Sequence, residues 1–253
     1  MYLLGEFGGL GLPLEGHLWQ KDKNWGYRKL TGRQELHDGY QQLMLRLKPL
    51  IDQGLAAAVY TQTTDCEGEV NGLLTYDRAV IKIDPDALAA MHAKLYEPPS
   101  KPITLAPTAG QAKVQWRYTT DQPAGDWFKP GFDASSWKSG PGGFGTAGTP
   151  GAIIGTPWNT SDIWLRRTFT LDATPDGVIA LDIHHDEDAT VYLNGVEVIR
   201  LDGYTSDYTL VPLTDKARAA LRAGENTLAV HCHQEKGGQY IDAGLSCLVP
   251  VTE

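Results

Sequence analysis

The sequence predicts an α/β part made of two consecutive β/α units, followed by an all-β sandwich. Three observations carry this. Before Glu97, apolar residues recur at helical steps of three and four. After Lys113, short apolar-polar alternations are punctuated by turn residues. Between them Pro98, Pro99, Pro102 and Pro107 interrupt a stretch with no periodic apolar face, the composition of a semi-rigid linker. The expected division is therefore residues 1–97, a Pro-rich linker at 98–112, and a sandwich at 113–253.

Taken in order, Tyr2-Leu3-Leu4 is a short apolar strand running into Gly5, Glu6, Phe7 and two glycines. Thr31 and Gln34 have the spacing of a capping box and open a helix over 32–53. Leu36, Tyr40, Leu43, Leu47 and Leu50 form its apolar stripe, and Gly54 ends it in a left-handed conformation. The run "LAAAVYT" at 55–61 lacks alternation, which predicts a strand buried on both faces. Asp84-Pro85, an N-cap followed by proline at the first helical position, starts a helix that runs to about Tyr96. Strand, helix, strand, long loop and helix make two β/α units of a parallel architecture.

In the second half "VQWRY", "IWLRRTFTL", "VIALDIHH", "ATVYLNGVEVIRL", "NTLAVHCHQ" and "YIDAGLSCLVP" read as strands. Asn194-Gly195, flanked by "TVYL" and "VEVI", predicts a type I′ hairpin. "GPGGFGTAGTPG" at 140–151 lacks the spacing and following helix of a phosphate-binding loop, so a surface loop is expected. "KARAALRAGEN" supplies one short helix before a strand.

With 253 residues, 42% hydrophobic and 21% charged, the composition is that of a globular protein. A net charge of -9 with no basic stripe argues against nucleic acid. No run reaches the roughly 20 apolar residues of a membrane helix. Cys66, Cys232 and Cys247 are too few and scattered for a disulfide framework, and Cys232 and Cys247 are read as buried free thiols.

The stretches "GEFGG", "GHLW", "NWGYR", "GLAAAVYTQTTDCEGEVNGLLTYDR" and "VIKID" resemble the C-terminal quarter of the catalytic barrel in family 2 glycoside hydrolases, the β-galactosidase and β-glucuronidase family. The resemblance covers residues 2–96. It implies a partial (β/α)8 barrel, its last two β/α units, followed by a jelly-roll-like β-sandwich. It also implies that Glu6, followed by Phe7 and Gly8, is the nucleophile of a retaining hydrolase of O-glycosidic bonds. Barrel enzymes carry their chemistry at the C-terminal ends of strands, and flanking glycines are expected to let substrate approach Glu6. The family's acid/base, a Glu after an Asn at an earlier strand end, has no counterpart before Glu6. The expectation is a C-terminal fragment whose missing N-terminal barrel part completes the site. Family context suggests a periplasmic or extracellular parent.

Aromatic rings bind sugars through the C–H face of the pyranose. Trp19, Trp25, Tyr60 and His17, on loops around Glu6, together with Gln62 at the eighth-strand mouth, are the expected substrate-binding residues. Glu15, Asp65, Glu67, Glu69 and Asp77 are conceivable stand-in acids, with a solvated, helix-capping or loop-bracing role expected of Asp65, Glu67 and Glu69. The second half resembles the galactose-binding-like sandwiches appended to bacterial glycoside hydrolases, through "WFKPGFDASSWKSGPGGFG", "DIWLRRTFTL", "HHDEDATVYLNGVEV", "GENTLAVHCHQ" and "GGQYIDAGL". Such modules bind carbohydrate or act as spacers, which is the alternative function of this chain. Trp158, between glycine, proline and small polar residues, is the expected exposed stacking platform. Asp186, Glu187 and Asp188 have the chemistry of a structural calcium site but not the spacing of a known loop, and are read as turn-forming acids. His231 and His233 share a strand face without a third ligand in sequence. No cofactor and no metal are expected, and carbohydrate is the expected partner.

Overall fold

The computed structural model describes residues 2–251, which divide into two compact units, 2–100 with Val251, and Lys101–Pro250. Unit 1 contains strands β1 (Tyr2–Gly8), β2 (Leu10–Gly11), β3 (Arg28–Lys29) and β4 (Leu55–Thr61), with helices α1 (Arg33–Asp52) and α2 (Pro85–Ala93). β1 and β4 are parallel, and α1 connects them in sequence. Leu36, Tyr40, Met44 and Leu47 of α1 are buried with Leu10, Leu12, Ile83 and Met91, and Leu4, Phe7, Ala58 and Tyr60 of the strands pack on that cluster. The apolar stripe thus runs through Met44; Leu50 is exposed, because in the last turn it has rotated off the packed face.

Two local expectations change. The residue that closes the start of α1 is Glu35, whose Oε2 accepts from the Thr31 amide (2.8 Å) and hydroxyl (3.0 Å); Gly32 is the N-cap. Gln34 instead donates to Asp38. β4 is not buried on both faces: it belongs to a two-stranded sheet, so Ala56, Ala57 and Val59 are exposed, as are Tyr2 and Leu3 on β1. Burial of such strands needs further strands and layers on the open face. Gly54 does adopt positive φ (101°), and Asp84 Oδ1 caps α2 through the Ala87 amide at 3.0 Å.

Unit 2 contains β5 (Ser100–Ala106), β6 (Gln115–Thr119), β7 (Lys138–Pro141), β8 (Phe144–Gly145), β9 (Thr156–Pro157) and β10 (Asp162–Leu171). There follow β11 (Val178–Asp186), β12 (Asp188–Leu193), β13 (Val196–Leu201), β14 (Thr209–Pro212), helix α3 (Asp215–Ala220), β15 (Gly224–His233) and β16 (Tyr240–Pro250). They form two sheets, ordered β13-β12-β15-β10-β6-β7 and β14-β11-β16-β8-β9, with β5 also pairing with β16. Inward residues such as Ile163, Leu165, Val191, Leu228, Val230, Ile183 and Leu245 are fully enclosed in the core of this unit. Asn194 and Gly195 take φ 48° and 86°, the two positive values that a type I′ turn demands.

The proline-rich stretch is not a free linker. Residues 100–106 are β5, since a strand with few periodic apolar residues still gains a backbone ladder against β16. Just beyond it, the Ala109 amide donates to the buried Asp242 carboxylate at 2.6 Å. The glycine-rich stretch is a surface loop only in its second half: Ala147, Gly148, Pro150 and Gly151 are exposed, but Gly140, Gly142, Gly143, Phe144 and Gly145 are buried. At Gly143, with φ 81°, a Cβ would lie 1.9 Å from the Ile153 carbonyl oxygen, so two backbone segments touch where only glycine fits.

Candidate functional site

Glu6 lies two residues inside the C-terminal end of β1. The register between β1 and β4 shifts between Leu4 and Phe7, so one extra residue of β1 is accommodated there. Leu4 and Phe7 both pack toward the helix-facing cluster, while Glu6 within the irregularity is exposed. Bulges of this kind re-aim a side chain. No side-chain hydrogen bond or ion pair engages the Glu6 carboxylate among the described residues.

The neighbouring glycines serve a different purpose from the one expected. A Cβ at Gly8 would lie 2.6 Å from the Tyr60 ring, and one at Gly9 2.8 Å from the Tyr27 ring; both residues have positive φ. These glycines admit the protein's own aromatic rings. Only Gly5 has open space around it.

Gly8 pairs with Thr61, which places Gln62 at the C-terminal end of β4, beside the end of β1. Gln62 is held by its backbone, donating to the Asn71 carbonyl and accepting from the Leu73 amide, and its side-chain Nε2 is enclosed without a hydrogen-bond partner. Tyr60 faces the other way. Its ring meets Phe7 at 5.6 Å and Tyr40 at 4.9 Å, both edge-on, and burial pushes its hydroxyl pKa up. Tyr60 is therefore a packing residue of the helix-facing cluster and not a sugar platform, because alternation along β4 points it toward α1.

His17 and Trp19 are tied to the segment after β4. His17 Nδ1 lies 2.8 Å from Asp77 Oδ2, and Trp19 meets Tyr76 edge-on at 5.7 Å. Hydrogen bonds from Thr75, then His17 and the Ala79 amide, hold the Asp77 carboxyl at about 2, so Asp77 is an anion and not a proton donor at neutral pH. Trp25 is anchored by its backbone to Gly68 and Val70 and meets Tyr27 edge-on at 5.5 Å. Trp19 and Trp25 are both substantially exposed.

The loop after β4 is braced by an ion pair that the sequence reading missed. Lys82 Nζ is fully enclosed and donates to Asp65 Oδ1 (2.7 Å), the Leu12 carbonyl (2.8 Å) and the Val70 carbonyl (3.0 Å). The same Asp65 oxygen accepts from the Gly72 amide at 2.8 Å. Burial raises the Asp65 pKa and lowers that of Lys82, and the pairing opposes both shifts. Of the three roles left open for it, Asp65 takes that of a loop brace; Glu69 likewise accepts from Asn71 Nδ2 at 2.8 Å. The available signal for Lys82 was a lone cation between Ile81 and Ile83.

In unit 2 the expected platform is overturned. Trp158 is only 3% exposed, belongs to the core, and donates from Nε1 to Thr160 Oγ1 at 2.8 Å. The small and polar neighbours that suggested exposure instead let the chain bend the indole inward. Trp164 lies opposite the buried Leu165 and stacks on His231 at 4.8 Å with 12° between planes. His231 and His233 both sit 2.9 Å from Asp162 Oδ1. The amides of Glu235 and Gly203 occupy Glu187 and Asp188 respectively. Among the described residues, no group of three or more His, Cys, Asp or Glu side chains is arranged to hold a metal ion. Cys232 and Cys247 are buried free thiols.

No family model and no curated protein matches the sequence. Solved structures do. A glycosyl hydrolase family 2 member from Bacteroides cellulosilyticus is 17% identical with a TM-score of 0.40, over 60% of this chain and 21% of its own. A Bacteroides uniformis beta-glucuronidase is 22% identical with a TM-score of 0.37, over 55% and 18%. A Ruminococcus gnavus β-glucuronidase in complex with a C6-substituted uronic isofagomine is 15% identical with a TM-score of 0.39, over 58% and 30%. The chain is therefore similar to glycoside hydrolases of family 2 over rather more than half its own length, and spans about a fifth of the first of them.

Proposed function

We propose that this chain is the C-terminal part of a retaining family 2 glycoside hydrolase, acting on O-glycosidic bonds, with Glu6 as nucleophile. One observation carries the reading: an exposed carboxylate without a partner among the described residues, set in a strand irregularity beside the C-terminal ends of two parallel strands. The Glu6-Phe7-Gly8 resemblance supports it, and so does the open apolar face of β1 and β4, which further barrel strands and helices would cover. In this reading Glu6 attacks the anomeric carbon, forming a glycosyl ester as the leaving oxygen takes a proton from a second carboxylic acid about 5–5.5 Å away. Water, deprotonated by that same second residue, then releases the sugar with its configuration retained. The second acid comes from a strand outside these two β/α units, Asp77 being held as an anion. Trp19 and Trp25 offer ring faces to the sugar, and His17 offers a hydrogen bond.

The test extends the reading frame upstream in the source DNA and assays the longer protein on aryl glycosides. Activity is expected there and not in the 253-residue chain. Glu6→Gln should lower kcat by a factor on the order of 10⁴–10⁶, as loss of a covalent nucleophile does elsewhere. Glu6→Gly should regain turnover with azide, giving the glycosyl azide of inverted configuration. Full activity in Glu6→Gln would refute the assignment.

A further inference from the structure

The segment 202–208, between β13 and β14, is mostly exposed, yet one point of it is fastened to the end of β11. The Thr205 amide donates to the His185 carbonyl at 2.8 Å, and the His185 amide donates to Thr205 Oγ1 at 3.2 Å. Beside these two bonds, His184 Nε2 lies 3.1 Å from the Thr205 carbonyl oxygen. A carbonyl only accepts, so Nε2 carries the proton and Nδ1 of the neutral ring is bare. His184 is 0% exposed, and its Nδ1 is enclosed with no hydrogen-bond partner among the described residues. A protonated ring would bring into the same enclosure a charge and a second N–H with nothing to receive it.

The groups that face the ring come from three elements. Tyr240 of β16 lies 4.5 Å away and Tyr208 of the segment 5.7 Å away, between ring centroids. Asp242 of β16 stands opposite His184 in the ladder, but its Oδ2 already accepts from the Ala109 amide and the Tyr208 hydroxyl. Asp207 of the segment favours a charged ring, whereas the neighbouring His185, itself buried and bonded to the Glu187 carbonyl, disfavours it. Burial outweighs the favourable contacts and holds the His184 pKa below its ordinary value. We propose that His184 is an acid-sensitive latch: its neutral ring holds segment 202–208 on β11, and uptake of one proton releases that segment while the rest of unit 2 stays folded. In the released form the ring meets water and titrates near 6.5. Closure is therefore complete above that value and weakens as pH falls below it, by up to about tenfold in the opening equilibrium per pH unit, until the lower pKa of the closed form is reached. The latch belongs to unit 2 and is independent of the reading of Glu6.

The test is amide hydrogen exchange of the full chain, read by NMR as protection factors between about pH 8 and 5, so that the intrinsic pH dependence of exchange divides out. Protection of the Thr205 and His185 amides should be flat above about pH 7 and fall by up to about tenfold per unit below about 6.5. The Val191 and Val230 amides, in the core strands β12 and β15, should keep their protection over the same range. His184→Gln retains a side-chain N–H for the Thr205 carbonyl but cannot titrate, so the pH dependence should vanish. Titration of the His184 ring in the parent chain, which needs no variant, should show a midpoint below about 6.5. Flat protection down to about pH 5, a fall shared equally by Val191 and Val230, a dependence that survives in His184→Gln, or a ring midpoint at or above about 6.5 would each overturn the proposal.

Discussion

Trp158→Ala separates two readings of one residue by a measurable margin. On an exposed platform the ring would contribute almost nothing to stability. In the structure it is 3% exposed within the core of unit 2. A buried tryptophan removes roughly 150–250 Å² from water. At about 25 cal/mol per Å² this is about 4–6 kcal/mol as an upper bound. Alanine retains part of that area, and the Thr160 bond lost with the indole adds about 1 kcal/mol. Measured Trp→Ala losses in cores, about 3–5 kcal/mol, agree with this balance. The expected loss is therefore about 4 kcal/mol from a unit whose total is on the order of 5–15 kcal/mol. For a unit of this size each kcal/mol moves Tm by about 2–4 °C, so the transition of unit 2 should fall by about 8–16 °C. Calorimetry reads that shift directly, and urea unfolding should show a lower midpoint at an unchanged slope. A Tm within 2 °C of the parent would return Trp158 to the surface and refute the packing argument.

A fragment spanning 100–250 should melt cooperatively, whereas one starting at 113 should melt several degrees lower, because it lacks β5 and the Ala109 donor to buried Asp242; equal melting temperatures would show that residues 100–112 contribute nothing. Lys82→Met removes the cation that offsets the enclosed Asp65 carboxylate, together with the donor to the Leu12 carbonyl, and should cost about 3–5 kcal/mol, seen as faster hydrogen exchange over 65–82, with Lys82→Met/Asp65→Leu recovering much of it. The His233–Asp162 contact should be legible by pH. The Asp162 hydrogen bond raises the His233 pKa, so its stabilising contribution is complete below the ordinary value near 6.5 and is lost as pH rises through the folded value. For Asp162, burial acts upward, but hydrogen bonds from His233, His231 and Ser161 bring the net shift down, so its contribution is lost as pH falls through a value below 3.8. NMR titration of His233 should show a pKa that drops in Asp162→Asn, and an unmoved pKa would deny the contact.

Much of this molecule was fixed by local chemistry. The helices of unit 1, the proline-opened start of α2, the Asn194-Gly195 turn and the alternating strands of the sandwich each depend on residues within a few positions of one another. Periodicity, caps and positive-φ turns act at that range, so the sequence alone determined them. Tertiary structure decided what depends on distant partners. Trp158 was drawn into the core and Tyr60 turned toward α1. Gly8 and Gly143 were reserved for close contacts with Tyr60 and the Ile153 backbone, and 100–106 became a strand because β16 lay beside it. The same holds for the ion pair of Lys82 with Asp65, which also draws on the distant Leu12 carbonyl. Burial and hydrogen-bond satisfaction are sums over the whole surroundings of a side chain, and those surroundings exist only once the chain has folded.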